Sequence, residues 1–222
     1  MSTNDTYMIK EIIKVYEDLG EKKLIKKIVK SISVNKRLYL LYFKKKLVPI
    51  CTLPRLKLIL VSKQGFISFC YSFFSFLHSR KIFINISPVN ISLIAKFVVY
   101  HEVGHILDNN IQKNRSEYAE LLNKFVDKLI EYDIDIDLND LHKRNLPSEI
   151  EDCVIKLKKN LIERESIAWD IAHNILNIKD KNEELIFYSM REYALATYNF
   201  GNIKNIISEN NIDIFLKYKK II

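Results

Sequence analysis

ISLIAKFVVYHEVGHILDNN, residues 91–110, reads as one helix that is apolar on nearly every side. Ile94, Phe97 and Val98 share the face of His101, while Leu93, Ala95, Val99, Ile106 and Leu107 cover much of the remainder. A helix without a polar face is a buried one. His101 and His105 stand four residues apart, one turn along the same face, so both imidazoles can reach a single ion. Glu102 lies next to that face, where its carboxylate can take a proton from a metal-bound water. Two imidazoles and a carboxylate inside such a helix need partners, because buried polar groups without them are costly. Metal ligation supplies the partners, and Zn2+ is the expected ion.

A catalytic zinc site takes a third protein ligand and leaves one position open. A third His six residues after the second is excluded, since residue 111 is Ile. Downstream, ERESIAWDIAHNIL (residues 163–176) offers Glu163 and Glu165 on what reads as a helix. Leu161, Ala168, Ala172, Ile175 and Leu176 form one apolar stripe, and Glu165 falls near its centre. Glu163 and Asp170 fall on the opposite face. A carboxylate inside an apolar stripe should be paired or should ligate a metal, so Glu165 is preferred over Glu163 as the third ligand. The small Ala168 and Ala172 beside it would let the HEVGH helix come close. Asp108, three residues after His105, either accepts an N–H from a ligand imidazole or is simply a polar residue at a helix end.

HEVGHILD followed by Glu165-x-x-Ala168-x-x-x-Ala172 resembles the glutamate-zincins, or gluzincins. It is similar in particular to the ImmA/IrrE-type metallo-endopeptidases, whose second motif has the form ExEANxFA. The match to that motif lies at Glu165, Ala168 and Ala172, with Trp169 in the place of the Asn and Ile171 in that of the Phe. HEVGHILDN also resembles the HExGHxxDD of lethal-factor-type peptidases. The resemblance covers roughly residues 81–176. It implies a zincin-like domain, Zn2+ on His101, His105 and Glu165, and hydrolysis of a peptide bond by a zinc-bound water that Glu102 activates. It also implies a protein or peptide substrate held in extended form along a sheet-edge strand. KIFINIS, residues 81–87, is placed to be that strand by β-strand addition. The gap from His105 to Glu165 is longer than such families usually have, which suggests an insertion around residues 110–147.

Working outward, apolar residues recur at helical spacing from about Asp5 to Ser31, predicting one helix, or two broken near Gly20. RLYLLYF, LKLILV, FISFCYSFFSF and KIFINIS are dense in β-branched and aromatic residues, and Pro49, Pro54, Gly65 and Pro88 separate them. They predict a small mixed or antiparallel sheet of three or four strands. Asn90 is placed to cap the HEVGH helix. A further helix is expected from about Ser116 to Tyr132. YDIDIDLND (residues 132–140) reads as a connection, and it lacks the Gly and closing Glu of a calcium loop. Ser148 and Glu151 form a capping box for a long helix to about Ile178. The last clear helix runs from about Asn182 to Phe200 and stops at Gly201. A helix and sheet (residues 1–89) followed by a helical half with the metal site (residues 90–222) is an α+β arrangement, read as a single domain over residues 1–222.

Length and composition agree with that reading. The chain has 222 residues, 48% of them hydrophobic, which suffices for a core without disulfides. Four Gly and four Pro exclude collagen-like and low-complexity classes. Cys51, Cys70 and Cys153 are odd in number and far apart, which argues against a disulfide framework or a cysteine zinc site. The N-terminus lacks the apolar run of a signal peptide, and Phe66 to Leu77 is too short to span a bilayer, so a cytoplasmic protein is expected. The net charge of +8 is concentrated: residues 1–63 hold 15 Lys/Arg against five Asp/Glu. Such a third can meet nucleic acid, an anionic membrane or an acidic protein. Its lysines alternate with acids and apolar residues as on a solvated helix face, which argues against nucleic acid as the partner.

His142, His173, Tyr193 and Tyr198 are the candidates for stabilising a developing oxyanion. FYSMREYALATYNF reads more simply as an aromatic packing face, and Trp169 as a core residue. The rival to a peptidase is a non-catalytic zincin-fold module that contacts a protein or nucleic acid through the basic N-terminal third.

Overall fold

The computed structural model describes residues 3–43, 49–83, 85–134 and 146–200, and the fold is α+β. The expected loop at 135–140, His142 and the tail from residue 201 lie outside the described residues. In chain order the elements are α1 (Thr3–Leu19), α2 (Glu21–Ser31), β1 (Tyr39–Phe43), β2 (Ile50–Leu53), a 3-10 turn (Pro54–Leu56) and β3 (Leu58–Ser62). Then come α3 (Lys63–Ser79), α4 (Pro88–Leu107), α5 (Ile111–Glu131), α6 (Ser148–Leu176) and α7 (Lys181–Phe200). Two compact units result: Met1–Asn109 with Ser166–Tyr193, and Asn110–Glu165 with Ala194–Ile222.

The break between α1 and α2 is Gly20, held at φ 68° where a side chain would be strained. The sheet has the order β1-β3-β2, with β1 parallel and β2 antiparallel to β3. Leu60 is opposite both Leu41 and Cys51. The central strand is the apolar one, with Ile59 and Val61 fully buried. Pro49 and Pro54 flank β2, as suits a strand that is at the edge of the sheet among the described residues.

Two expected strands are not strands. FISFCYSFFSF forms most of α3. Its buried residues Phe66, Cys70, Phe73, Phe74 and Leu77 follow a helical period, and Ser62 Oγ caps its start by accepting the Gly65 N–H at 3.4 Å. KIFINIS lies outside the sheet at every described position. The C-terminus of α3 uses its backbone donors: Arg80, Lys81, Ile82 and Phe83 bond back to the carbonyls of Phe76, His78 and Leu77. Lys81 turns through φ 59°, and the His78 ring meets the Phe83 carbonyl at 2.9 Å. A chain committed to closing a helix has no ladder to offer.

α4 is the hub of the first unit, packing on α1, α2, α3, β2 and the 3-10 turn. Every residue from Phe97 to Ile106 is buried. The helix is capped by Ser87, whose Oγ accepts the Asn90 N–H at 3.2 Å, with Pro88 in its first turn. Asn90 is therefore one turn inside the helix and does not cap it. In the second unit, α5 and the first part of α6 share a core of Phe125, Val126, Leu129, Ile150, Cys153 and Leu157. At its surface, Lys128 bonds Glu131 and Glu149, which raises the ammonium pKa and lowers that of Glu149.

Candidate metal centre

α4 places His101 and His105 one turn apart, with ring centroids 4.7 Å apart and planes at 72°. Both are 7% exposed. α6 brings Glu165, 8% exposed, to the same place. One donor atom from each of His101, His105 and Glu165 lies within 4.8 Å of the others, a spacing that small side-chain rotations close around one ion. α6 is unbroken from Ser148 to Leu176, so the turn that carries Glu165 continues directly into Ser166, Ala168 and Trp169.

The approach of α4 to α6 depends on Gly104. A Cβ there would press on the carbonyl group of Ala168, 2.8 Å from its carbon and 3.0 Å from the Ala168 Cα. The fourth residue of HEVGH is thus small because a backbone occupies the space. Ala168 and Ala172 are themselves fully buried.

The opposite face of α6 is wet. Glu163 is 60% exposed in its side chain and lies 3.8 Å from Lys159. Asp170, similarly exposed, pairs with Arg191 at 3.1 Å. Helical phase alone therefore separates the buried carboxylate of Glu165 from its exposed neighbours.

Glu102 is 8% exposed on α4, and Asp108, 5% exposed, caps the end of that helix through its N–H to the Gly104 carbonyl at 2.9 Å. His101, His105 and Glu165 are thus gathered in the buried part of α4 and α6, and the carboxylates of Glu102 and Asp108 are buried on α4 and at its end. A multivalent cation is the usual way to keep such carboxylates ionised away from water. The donor set fits zinc, which accepts imidazole nitrogen and carboxylate oxygen together.

Trp169 does more than fill the core. Its ring stacks on His101 at 4.4 Å and 24°, and meets Phe187 edge-on at 5.2 Å and Phe73 at 6.4 Å. The aromatic wall fixes the His101 ring in orientation. Sequence reading placed Trp169 only as core, although its position one turn after Glu165 put it on the side facing α4.

Two of the four expected oxyanion candidates, His173 and Tyr193, have described surroundings. The His173 ring lies against Phe187 and Tyr188, with Nε2 3.6 Å from Glu184. Tyr193 stacks on Phe76 at 4.5 Å and meets Phe73 at 5.6 Å, a packing role. Comparison with protein-family models, curated protein sequences and solved structures finds no match to the chain.

Proposed function

We propose that the chain is a zinc-dependent endopeptidase, with His101, His105 and Glu165 as metal ligands and Glu102 as general base. One observation carries the reading: a buried His-His-Glu group in which the two His flank a buried Glu on the same helix. The resemblance of HEVGH and Glu165-x-x-Ala168 to the gluzincins supports it from the sequence.

Bound Zn2+ supplies Lewis acidity, polarising a carbonyl oxygen and making a water more acidic. The remaining work falls to the chain. Glu102 accepts a proton from the attacking water at a carboxylate oxygen and returns it to the departing amine. Trp169 holds the His101 ring in its ligating orientation. The apolar faces of α4 exclude bulk water, which strengthens each polar contact made there. β2 packs on α4 and has a hydrogen-bonded neighbour on one side only among the described residues. An extended peptide would therefore pair along its outer edge, the place that KIFINIS does not occupy.

The test combines metal analysis with a proteolysis assay. Glu102→Ala is expected to keep zinc and to lose cleavage by roughly 10²–10⁴-fold. Glu165→Ala is expected to lose most of the zinc. A wild-type chain that carries no metal and cannot be loaded with zinc, cobalt or manganese would defeat the reading, whatever its activity.

A further inference from the structure

A second feature of the first unit owes nothing to the metal centre. The end of α1, the length of α2, the end of β1 and Ile67 of α3 enclose an open cavity of about 1090 Å³. Its lining includes Tyr42, Phe43 and five lysines of α2: Lys22, Lys23, Lys26, Lys27 and Lys30. All five lysines are exposed, whereas Glu21, the only acid of α2, is turned inward at 7% exposure. None of the five is ion-paired with another described residue. The folded chain thus separates what the sequence interleaves within α2: the apolar residues Ile25 and Ile28 go into the core and its lysines face the cavity, whose lining also includes the exposed Glu17 at the end of α1.

The spacing of those lysines is regular. Lys22, Lys26 and Lys30 stand at successive four-residue steps, about 6 Å apart along the axis, with Lys23 and Lys27 as a parallel row. Such an array suits a polymer with one negative charge per repeat. The wall beside it is aromatic: Lys22 Nζ lies 5.8 Å from the centre of the Tyr42 ring, and Phe43 follows on the same strand. Burial raises the Tyr42 phenol pKa, with the Glu21 charge adding to it, so the hydroxyl remains a donor. Its oxygen is buried and has no hydrogen-bond partner among the described residues.

We infer that this cavity binds single-stranded nucleic acid, with phosphates along the α2 lysines and unpaired bases against Phe43 and Tyr42. Basic grooves with aromatic walls take single strands in this way. A duplex keeps its bases stacked inside and has nothing to place in a recess. An acidic peptide is the competing occupant. Its carboxylates can meet the lysines, but it offers no flat unpaired base to lay on the Phe43 and Tyr42 rings. The dispersed appearance of the lysines in the sequence argued against nucleic acid; their gathering on one face reverses that argument.

The experiment uses the full chain and a fluorescein-labelled 20-nucleotide oligo-dT, read by anisotropy between 50 and 200 mM salt. Five phosphate contacts predict a slope of log affinity against log salt near −3.5, about a hundredfold loss across that range. Lys22→Gln/Lys26→Gln/Lys30→Gln should reduce the slope to about −1.4. Lys124→Gln/Lys156→Gln/Lys179→Gln removes the same charge from exposed positions elsewhere and should leave the slope unchanged. Phe43→Leu keeps an apolar side chain but removes the stacking face, and should weaken binding about fivefold or more. No binding at 50 mM salt overturns the inference. So does equal loss in both lysine triples, or a polyglutamate peptide that competes as well as unlabelled oligo-dT.

Discussion

Gly104→Ala is the sharpest perturbation available, because it adds one methyl group where α4 and α6 come closest. Ordinary contact begins near 3.4 Å, and the new Cβ would stand 2.8 Å from the Ala168 carbonyl carbon, so the helices must part by at least ~0.6 Å. Backbone atoms cannot rotate out of the way as a side-chain tip can. The Ala168 carbonyl oxygen lies closer still, so the cost falls in the upper part of the overpacking range, about 2–3 kcal/mol. Alanine's better helix propensity returns about 1 kcal/mol. A net loss of about 1–2 kcal/mol follows, which in a chain of this size lowers Tm by roughly 2–8 °C. The displacement also moves the turn of α6 that follows Glu165, so zinc affinity should fall with stability. Urea unfolding followed by circular dichroism measures the first effect, and titration against a zinc indicator the second. Adding Ala168→Gly should not rescue the variant, since it removes a methyl and leaves the carbonyl in place. If Gly104→Ala proves as stable as the parent or more so, the close approach is refuted, because helix propensity would then be acting unopposed.

Two further outcomes concern Trp169 and the buried thiol and phenols. Trp169 is the only tryptophan and stacks on His101, so loading the metal-free protein with Co2+ should quench its emission, in proportion to occupancy and with a break at one equivalent. Glu165→Ala should shift that titration to higher concentration, and emission that ignores Co2+ would show that His101 is not a ligand. Burial pushes the Cys70 thiol up to about 12 from 9.0, and the Tyr16 and Tyr42 phenols rise with it. Each holds its proton more tightly in the folded state, so stability is complete below about pH 9 and falls as pH climbs toward 12. For Cys70 alone the loss is about 1.4 kcal/mol per pH unit in that window. Urea midpoints at pH 7.5, 9 and 10.5 measure it; a midpoint that is flat to pH 10.5 would contradict the burial of these groups.

How much of this was legible before folding depends on whether a pattern has one physical solution. α4 was legible because a run apolar on every side can only be buried, and because four-residue spacing in a helix leaves little freedom for His101 and His105. The phase of Glu165 against Glu163 was legible for the same reason. α3 was misread since its phenylalanines satisfy strand propensity residue by residue, while their helical period shows only over the whole run. β2 was overlooked: Ile50-Cys51-Thr52-Leu53 between two prolines is too short to declare itself, and only pairing with β3 makes it a strand. KIFINIS has the composition of a strand, but the end of α3 had already taken its donors. The stacking of Trp169 on His101 joins residues 68 positions apart, and no local pattern reports such a contact.

The proposed ligands are far apart along the chain, with about 60 residues between His105 and Glu165. Cys51, Cys70 and Cys153 are all free thiols. An ion held by both helices would tie residues 105 and 165 together much as a disulfide ties two cysteines. A link that closes a loop of that length removes chain entropy from the unfolded state worth about 4 kcal/mol. By that measure an ion here is also a clasp on the polypeptide, and a chelator would loosen the native state as well as silence any chemistry.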